Sequence, residues 1–463
     1  MADLRQMFRQ SSIYGSADVI SKAIAFLLIP VFTRFLDVPD YGRLALFQSL
    51  AGVLSVTFLW GTAASLASFY HFKEHRDRFH SIKDTTVRFL LVFNLIVGVG
   101  LFWASRLVGI NPVLTGLVLI IAYFAVVRTT ETVHFVHSGR PGNQLVLVVS
   151  FAVVSAVSVI AALFMFSEFD PVNRIFSALA AAGGLFFVIV MVRNRFFMGT
   201  PFEGSILREV LIFGLPVLPH ALAQWILNFS DRAMLRYFLD YQEVGIYSLG
   251  YNFGMMMLIF LSAVNTSWGP AFMGIAENEE RASQILTDMA GKIWIAFCLA
   301  ASGCLLWVHE AITFATPVEY HGAVILSKWI VVSYLIYGSY LLYANGLFAA
   351  RKSKLVPLAT MSAALVNIVL NWFLIPIYGT TGAVIATVVS FTVMAILVYT
   401  LASQHYPLGI GPGFLILYGL VPIFVFVVST TVDGLENMSI RISIKLILTT
   451  PLLFYAYGNV RRK

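Results

Sequence analysis

The sequence predicts an all-α membrane protein of about fourteen transmembrane helices, as two six-helix lobes in parallel pseudo-repeat plus two extra C-terminal helices. Three observations carry this expectation. First, 59% of the 463 residues are apolar and 11% are charged, where a soluble domain carries about 25% charged residues. So few charges cannot cover a water-soluble surface of this size, which excludes an ordinary soluble enzyme. Second, the apolar residues gather in runs of roughly 20, the length a helix needs to cross about 30 Å of hydrocarbon. Third, part of the first half recurs in the second.

The spans are set by proline, glycine and charge. MADLRQMFRQ reads as the approach to a retained first span (12–35), with Leu4, Met7 and Phe8 on a short interfacial helix rather than in a signal peptide. TRFLDVPDYGR leads into span 2 (44–70), and a basic stretch from Lys73 to Lys83 precedes span 3 (85–106). Span 4 covers 113–135, HSGRPGNQL follows it and leads to span 5 (143–166), and span 6 covers 172–193. Span 7 (208–230) carries GLPVLP (Gly214–Pro219), which predicts a kink. LRYFLDYQEVG leads into span 8 (243–270), and IAENEERASQILTD reads as an amphipathic connector to span 9 (291–314). Span 10 (321–347) ends before ARKSK, spans 11 (355–376) and 12 (380–402) flank Gly379, and spans 13 (412–429) and 14 (439–458) follow. Cys298 and Cys304 lie six apart in one apolar run and so on different helix faces, which excludes a disulfide between them.

The charge distribution gives the orientation. With the N-terminus inside, 18 of the 30 lysines and arginines fall on inner segments. Seven fall outside (Arg34, Arg43, Arg106, Arg174, Arg232, Arg236 and Arg441) and five within spans (Lys22, Arg88, Arg128, Lys328 and Lys445). That bias is the positive-inside pattern, with both termini cytoplasmic. Trp60, Trp103, Trp307 and Trp372 are expected near the outer face, Trp268 and Trp294 near the inner.

The repeat is short but specific. At an offset of 203, Phe35, Leu36, Asp37 and Gly42 match Phe238, Leu239, Asp240 and Gly245, with Asp40 facing Glu243. HSGRPGNQL after span 4 corresponds loosely to AARKSKLVPL after span 10. Six spans separate the copies, so both halves face the same way, as in transporters whose substrate path lies between repeats. The expected domains are 1–200 and 201–404 as six-helix lobes, with 405–463 as two additional helices.

Charges inside a membrane are costly and must face a partner or water. Asp18 and Lys22 lie four apart on span 1, with Lys22 near the midplane. They form either a structural ion pair or part of a water-filled cavity. His220, Gln224, Asn228 and Asp231 lie on one face of span 7, as an aqueous lining or a polar seam between helices. Arg128 snorkels with Glu131 or faces a cavity, and Lys328 lies within snorkelling reach of the outer face. Asn252, Asn367 and Asn371 serve equally well as packing glue. Tyr334, Tyr337, Tyr340 and Tyr343 suit a sugar path or aromatic packing. His71, His75 and His80 lack helix-based zinc spacing and belong to a solvated basic loop facing anionic lipid. No phosphate loop, nucleophile elbow or cysteine cluster is present, so neither enzyme activity nor a metal, cofactor or nucleic-acid partner is expected.

Three segments resemble bacterial polysaccharide-export flippases of the Wzx type. They are Ser11–Leu50, with its leucine-rich span end, acidic residue and Tyr-Gly; Ser230–Phe253, with its Asp-Arg pair; and Asn367–Ser390, with Ile-Pro-Ile-Tyr-Gly and Gly-Ala-Val-Ile-Ala-Thr. The likeness is patchy over roughly 11–400. It implies the multidrug/oligosaccharidyl-lipid/polysaccharide exporter superfamily: two six-helix lobes around a cavity, moving an undecaprenyl-diphosphate-linked oligosaccharide between leaflets of the bacterial cytoplasmic membrane. The polysaccharide polymerase and chain-length regulator are then candidate partners, alongside membrane lipids. The family's cavity cations map onto Lys22 and, less closely, Arg232; fourteen spans also suit its peptidoglycan-precursor flippases, and cation-coupled multidrug exporters share the fold.

Overall fold

The computed structural model describes residues 15–17, 19–194, 201–278 and 281–461, and every regular element among them is a helix. Eleven helices there are long and apolar enough to cross a membrane, or twelve when Val38–Thr57 and Thr62–Phe69 are taken as one bent span. The 51-residue helix Leu355–His405 is two spans meeting at Gly379, whose φ of 58° breaks the helix. Met438–Arg461 follows Pro412–Asp433, which completes fourteen spans among the described residues. In order they are Gly15–Phe35, the bent pair, Phe79–Leu107, Pro112–His137, Pro141–Met165, Pro171–Asn194, Gly204–Phe238, Tyr241–Glu277, Ala282–Ala315 and Ala323–Ala349, then the last four.

Several helices begin before their apolar runs. Span 2 starts at Val38, span 3 at Phe79 and span 9 at Ala282. Hydropathy marks the hydrocarbon crossing, whereas the helix continues wherever polar turns find packing partners. Thus Lys83 and Asp84, expected just ahead of span 3, are buried inside it.

The repeat is written into the helix ends. Asp37 caps span 2 by accepting from Asp40 N at 2.8 Å, and Asp240 caps span 8 by accepting from Glu243 N at 3.0 Å. In both, an acidic residue sits in the positively polarised first turn. Spans 4 and 10 end alike as well. Arg140 N donates to Phe135 O at 3.0 Å and Gly139 N to Val136 O at 3.4 Å; Lys352 N donates to Leu347 O at 2.8 Å and Arg351 N to Phe348 O at 3.0 Å. This double closure needs a left-handed residue, supplied by Gly139 (φ 66°) in one copy and Arg351 (φ 58°) in the other.

The chain divides into two compact units, Met1–Trp225 and Ile226–Lys463, with the division inside span 7. In unit 1, Val87 and Leu91 of span 3 pack with Val127 and Phe135 of span 4, Leu147 of span 5, and Phe186 and Val190 of span 6. A second cluster joins Leu66 and Phe69 of span 2 to Phe79 and Ile82 of span 3 and Ile206 and Val210 of span 7. In unit 2, span 10 is the most enclosed, and span 8 approaches it through Gly250 and Gly254, four apart. A Cβ at Gly250 would lie 2.9 Å from Ala323 O, and one at Gly254 2.5 Å from Ile330 Cβ. Lipid supplies no hydrophobic drive for helix association, so such close backbone approach is what holds spans together. The cysteines are free, as their spacing requires.

Candidate functional site

The span 7 stripe divides along its length. Asp231 is fully buried in unit 2. Its carboxylate accepts from Tyr247 Oη of span 8, from Asn371 Nδ2 of span 11 at 2.6 Å and from Thr387 Oγ1 of span 12 at 3.3 Å. Asn371 Nδ2 also donates to Asn367 Oδ1 at 3.0 Å, which accepts from Ser230 Oγ at 3.3 Å. Asn228 Oδ1 accepts from Tyr334 Oη at 3.0 Å and Tyr251 Oη at 3.2 Å. Asp231, Tyr247, Asn367, Asn371 and Thr387 thus form one hydrogen-bonded group from spans 7, 8, 11 and 12, and Asn228, Tyr251 and Tyr334 a second from spans 7, 8 and 10, with the Tyr247 and Tyr251 ring centroids 5.9 Å apart. His220 and Gln224, in the part of span 7 belonging to unit 1, are only half-buried.

Arg232 belongs to the same neighbourhood. Its Nη1 donates to Asn228 O at 2.8 Å, and its guanidinium lies 4.6 Å from the Tyr251 ring centroid and 5.1 Å from that of Phe229. Such aromatic faces attract the cation electrostatically. Asp231 with Asn367, Asn371 and Thr387 forms an oxygen-donor set suited to a small hard cation. Within it, Asn371 Oδ1 is buried without a hydrogen-bond partner among the described residues.

Unit 1 presents a different arrangement. Lys22 is half-buried on span 1, and Asp18 lies outside the described residues. Glu131, expected beside Arg128, turns instead to Lys83 Nζ at 3.0 Å and Arg193 Nη2 at 3.2 Å. Lys83 and Glu131 are both 1% exposed, and the sequence missed their pairing because span 3 starts six residues early. Arg128 has no carboxylate partner among the described residues. Its guanidinium lies 4.1 Å from the Phe151 ring centroid on span 5, about 13 Å in from the C-terminal end of span 4 at 1.5 Å per residue.

Lys328 sits apart from these groups. Rather than snorkelling, its ammonium, 1% exposed, donates to Asp433 Oδ2 at 2.5 Å, Ser429 Oγ at 3.0 Å and Thr430 Oγ1 at 3.1 Å, all at the end of span 13. Lys445 of span 14 joins Asp433 to Glu310 of span 9, each at 2.5 Å, and Arg441 Nε reaches Glu310 Oε1 at 3.0 Å. Three permanent cations thus meet two carboxylates. His309, Glu310 and Asp433 could bring metal-ligand atoms within 4.8 Å of one another, but the Lys445 ammonium already lies between the two carboxylates. Glu310 and Asp433 leave no sign in one-dimensional spacing, since they meet Lys328 and Lys445 only across helices.

A family model described as polysaccharide biosynthesis protein matches residues 7–276, more than half of the sequence. The chain belongs to this family. This family member is 19% identical over 374 residues to Lsg locus putative protein 1 of Haemophilus influenzae, covering 78% of this chain and 90% of that relative. Its fold is similar to a lipid II flippase MurJ in an inward closed conformation, with a TM-score of 0.74 at 14% identity over 98% of this chain and 99% of that one. An outward-facing MATE family multidrug resistance transporter of the MOP superfamily gives 0.59 at 12% identity over 86% and 94%. A MOP superfamily transporter from Pyrococcus furiosus gives 0.59 at 13% identity over 86% and 95%. At these identities the structural likeness establishes the fold, a multi-pass bundle of membrane-spanning helices. It agrees with the family resemblance read from the sequence.

Proposed function

We propose that this protein is a flippase, not an enzyme, that moves an undecaprenyl-diphosphate-linked oligosaccharide across the bacterial cytoplasmic membrane for surface polysaccharide assembly. In this reading both termini are cytoplasmic, lobes 1–200 and 201–404 alternate in access, and 405–463 adds two helices. A polymerase and a chain-length regulator would act on the product.

The observation that carries the reading is Arg128, within a polysaccharide biosynthesis family fold. A charge at the centre of a membrane helix costs roughly 2.5–3.5 kcal/mol on insertion scales. Among the described residues Arg128 has an aromatic face and no carboxylate against it, whereas Lys83, Lys328 and Lys445 pair with carboxylates. A cation kept without a counter-charge suits an anionic cargo such as a diphosphate. Lys22 and Arg232 are the other cations assigned to the path, with His220, Gln224 and Asn228 as hydrogen-bonding groups for sugars. The Asp231 cluster is the seat we assign to a coupling cation.

Deleting the gene should accumulate the lipid-linked oligosaccharide in the inner leaflet and abolish one surface glycan. Intact glycans with new sensitivity to cationic drugs would overturn the reading in favour of a multidrug exporter. A second reading, a lipid-linked peptidoglycan precursor flippase, is favoured by one observation: the MurJ structure matches 98% of this chain, the multidrug transporter 86%. Lysis on depletion, with precursor build-up, would select it.

A further inference from the structure

Span 2 is broken in mid-course. Its two helices meet at 48° across Phe58–Gly61, where Trp60 (φ 49°) and Gly61 (φ 74°) are both left-handed. A break inside hydrocarbon strands backbone carbonyls that water cannot reach, and a left-handed tryptophan is disfavoured. One side chain compensates both. Asn94 of span 3, almost fully buried, donates from Nδ2 to Phe58 O at 2.7 Å and accepts from Trp60 Nε1 at 2.9 Å. Trp60, expected in an outer aromatic belt, is thus part of an internal bend.

The opposing segment is broken as well. Span 7 passes from helix Gly204–Gly214 through a 3-10 turn, Leu215–Val217, into the helix from Leu218. The two breaks face each other. A Cβ at Gly61 would lie 2.0 Å from Gly214 O, and one at Gly214 2.7 Å from Gly61 O. Toward the inner end, Ser65 Oγ donates to Val210 O at 2.6 Å. Toward the other end, the Trp225 indole fills the notch at Gly52, where a Cβ would meet three ring atoms at 2.0–2.7 Å. Positions 52, 61 and 65 meet 225, 214 and 210 in reverse order, so the segments run antiparallel with their bends aligned.

We infer that the aligned bends of spans 2 and 7 form one coupled hinge in unit 1, with Trp225 in the Gly52 notch as its latch and Asn94 as its positioning residue. Neither segment can straighten while the other stays bent, because the glycine contacts at 61 and 214 leave no slack. Parting them breaks the Ser65–Val210 hydrogen bond, and none of the six residues at these three contacts carries a charge. The Lys83–Glu131–Arg193 cluster of the same unit has no such freedom. The inference rests on the reading that the protein is a transporter, since only a transport cycle calls for such motion.

The test uses the full-length protein in native membranes, with Cys298 and Cys304 replaced and Ser65→Cys as reporter. Ser65 is fully buried, and Gly52 lies thirteen residues away along the span. Gly52→Ala and, separately, Trp225→Ala should each raise the maleimide labelling rate at position 65 at least ten-fold. A parallel Ser302→Cys reporter, buried in unit 2, should stay unlabelled, showing that the protein is folded. Unchanged labelling at 65 in both variants would overturn the inference, as would equal gains at 65 and 302. The readout needs no substrate, so a wrong cargo assignment would leave it intact.

Discussion

Asp433→Asn would leave Lys328 and Lys445 facing a single remaining carboxylate, Glu310, which Arg441 also occupies. At an effective dielectric constant of about 20, a 2.5 Å ion contact represents roughly 7 kcal/mol of gross attraction. Most of this offsets desolvation, since Lys328 and Lys445 are 1% and 0% exposed. Removing one member of a buried pair therefore costs about 3–5 kcal/mol, chiefly through the orphaned charge. Lys328→Met alone removes one of three cations and leaves two cations with two carboxylates. It loses the bonds to Ser429 and Thr430, but it also removes the cluster's excess charge and should cost about 1–2 kcal/mol. The double variant restores the native imbalance of one positive charge, so it should lie within about 1 kcal/mol of the Lys328→Met variant. The assay is denaturant unfolding of purified protein in detergent, completed as a double-mutant cycle. A coupling below about 1 kcal/mol would refute the claim that Lys328 and Asp433 form one electrostatic unit securing span 13 to span 10.

Arg128→Lys should keep much of the export activity, while Arg128→Gln at equal membrane abundance should lose roughly 10- to 150-fold in apparent affinity, the worth of one charge-assisted contact; export assays at graded substrate levels check this. Asp18→Asn, Lys22→Gln and their double, scored for export and abundance, separate the two readings of span 1: normal export by the double leaves Lys22 structural. Gly254→Ala should cost about 1–3 kcal/mol through overpacking against Ile330 Cβ and Ser327 O, and because Ile330→Ala keeps that Cβ, adding it in the same chain should recover little of the loss in a melting experiment. Cysteine labelling should place Lys73 and Lys352 on the cytoplasmic side and Asp37 and Asp240 on the other. Finding Asp37 and Asp240 on opposite sides would end the parallel-repeat topology.

What was legible in the sequence is what depends on neighbours along the chain. The Asp37 and Asp240 caps act over three residues, the paired closures at Gly139 and Arg351 over five, and each left a readable trace. Gly379 was legible as the turn between spans 11 and 12 for the same reason. Asp433 was not, because its meaning comes from Lys328, 105 positions away, and from Lys445 on the next helix. Arg128 shows the converse: a carboxylate three residues on suggested a partner, but Glu131 lies on the face that meets spans 3 and 6 and is consumed there by Lys83 and Arg193. The break in span 2 was hidden differently. LSVTFLWGTAASLASF holds no proline, and one glycine does not distinguish a straight helix from a broken one. What favours the break is Asn94 on the next span, with Gly214 opposite, so the bend is a property of three helices together. In a bilayer this follows generally: hydropathy decides which segments cross, but every polar group inside must then be satisfied by another segment. The positions left unreadable are therefore those where one span completes another.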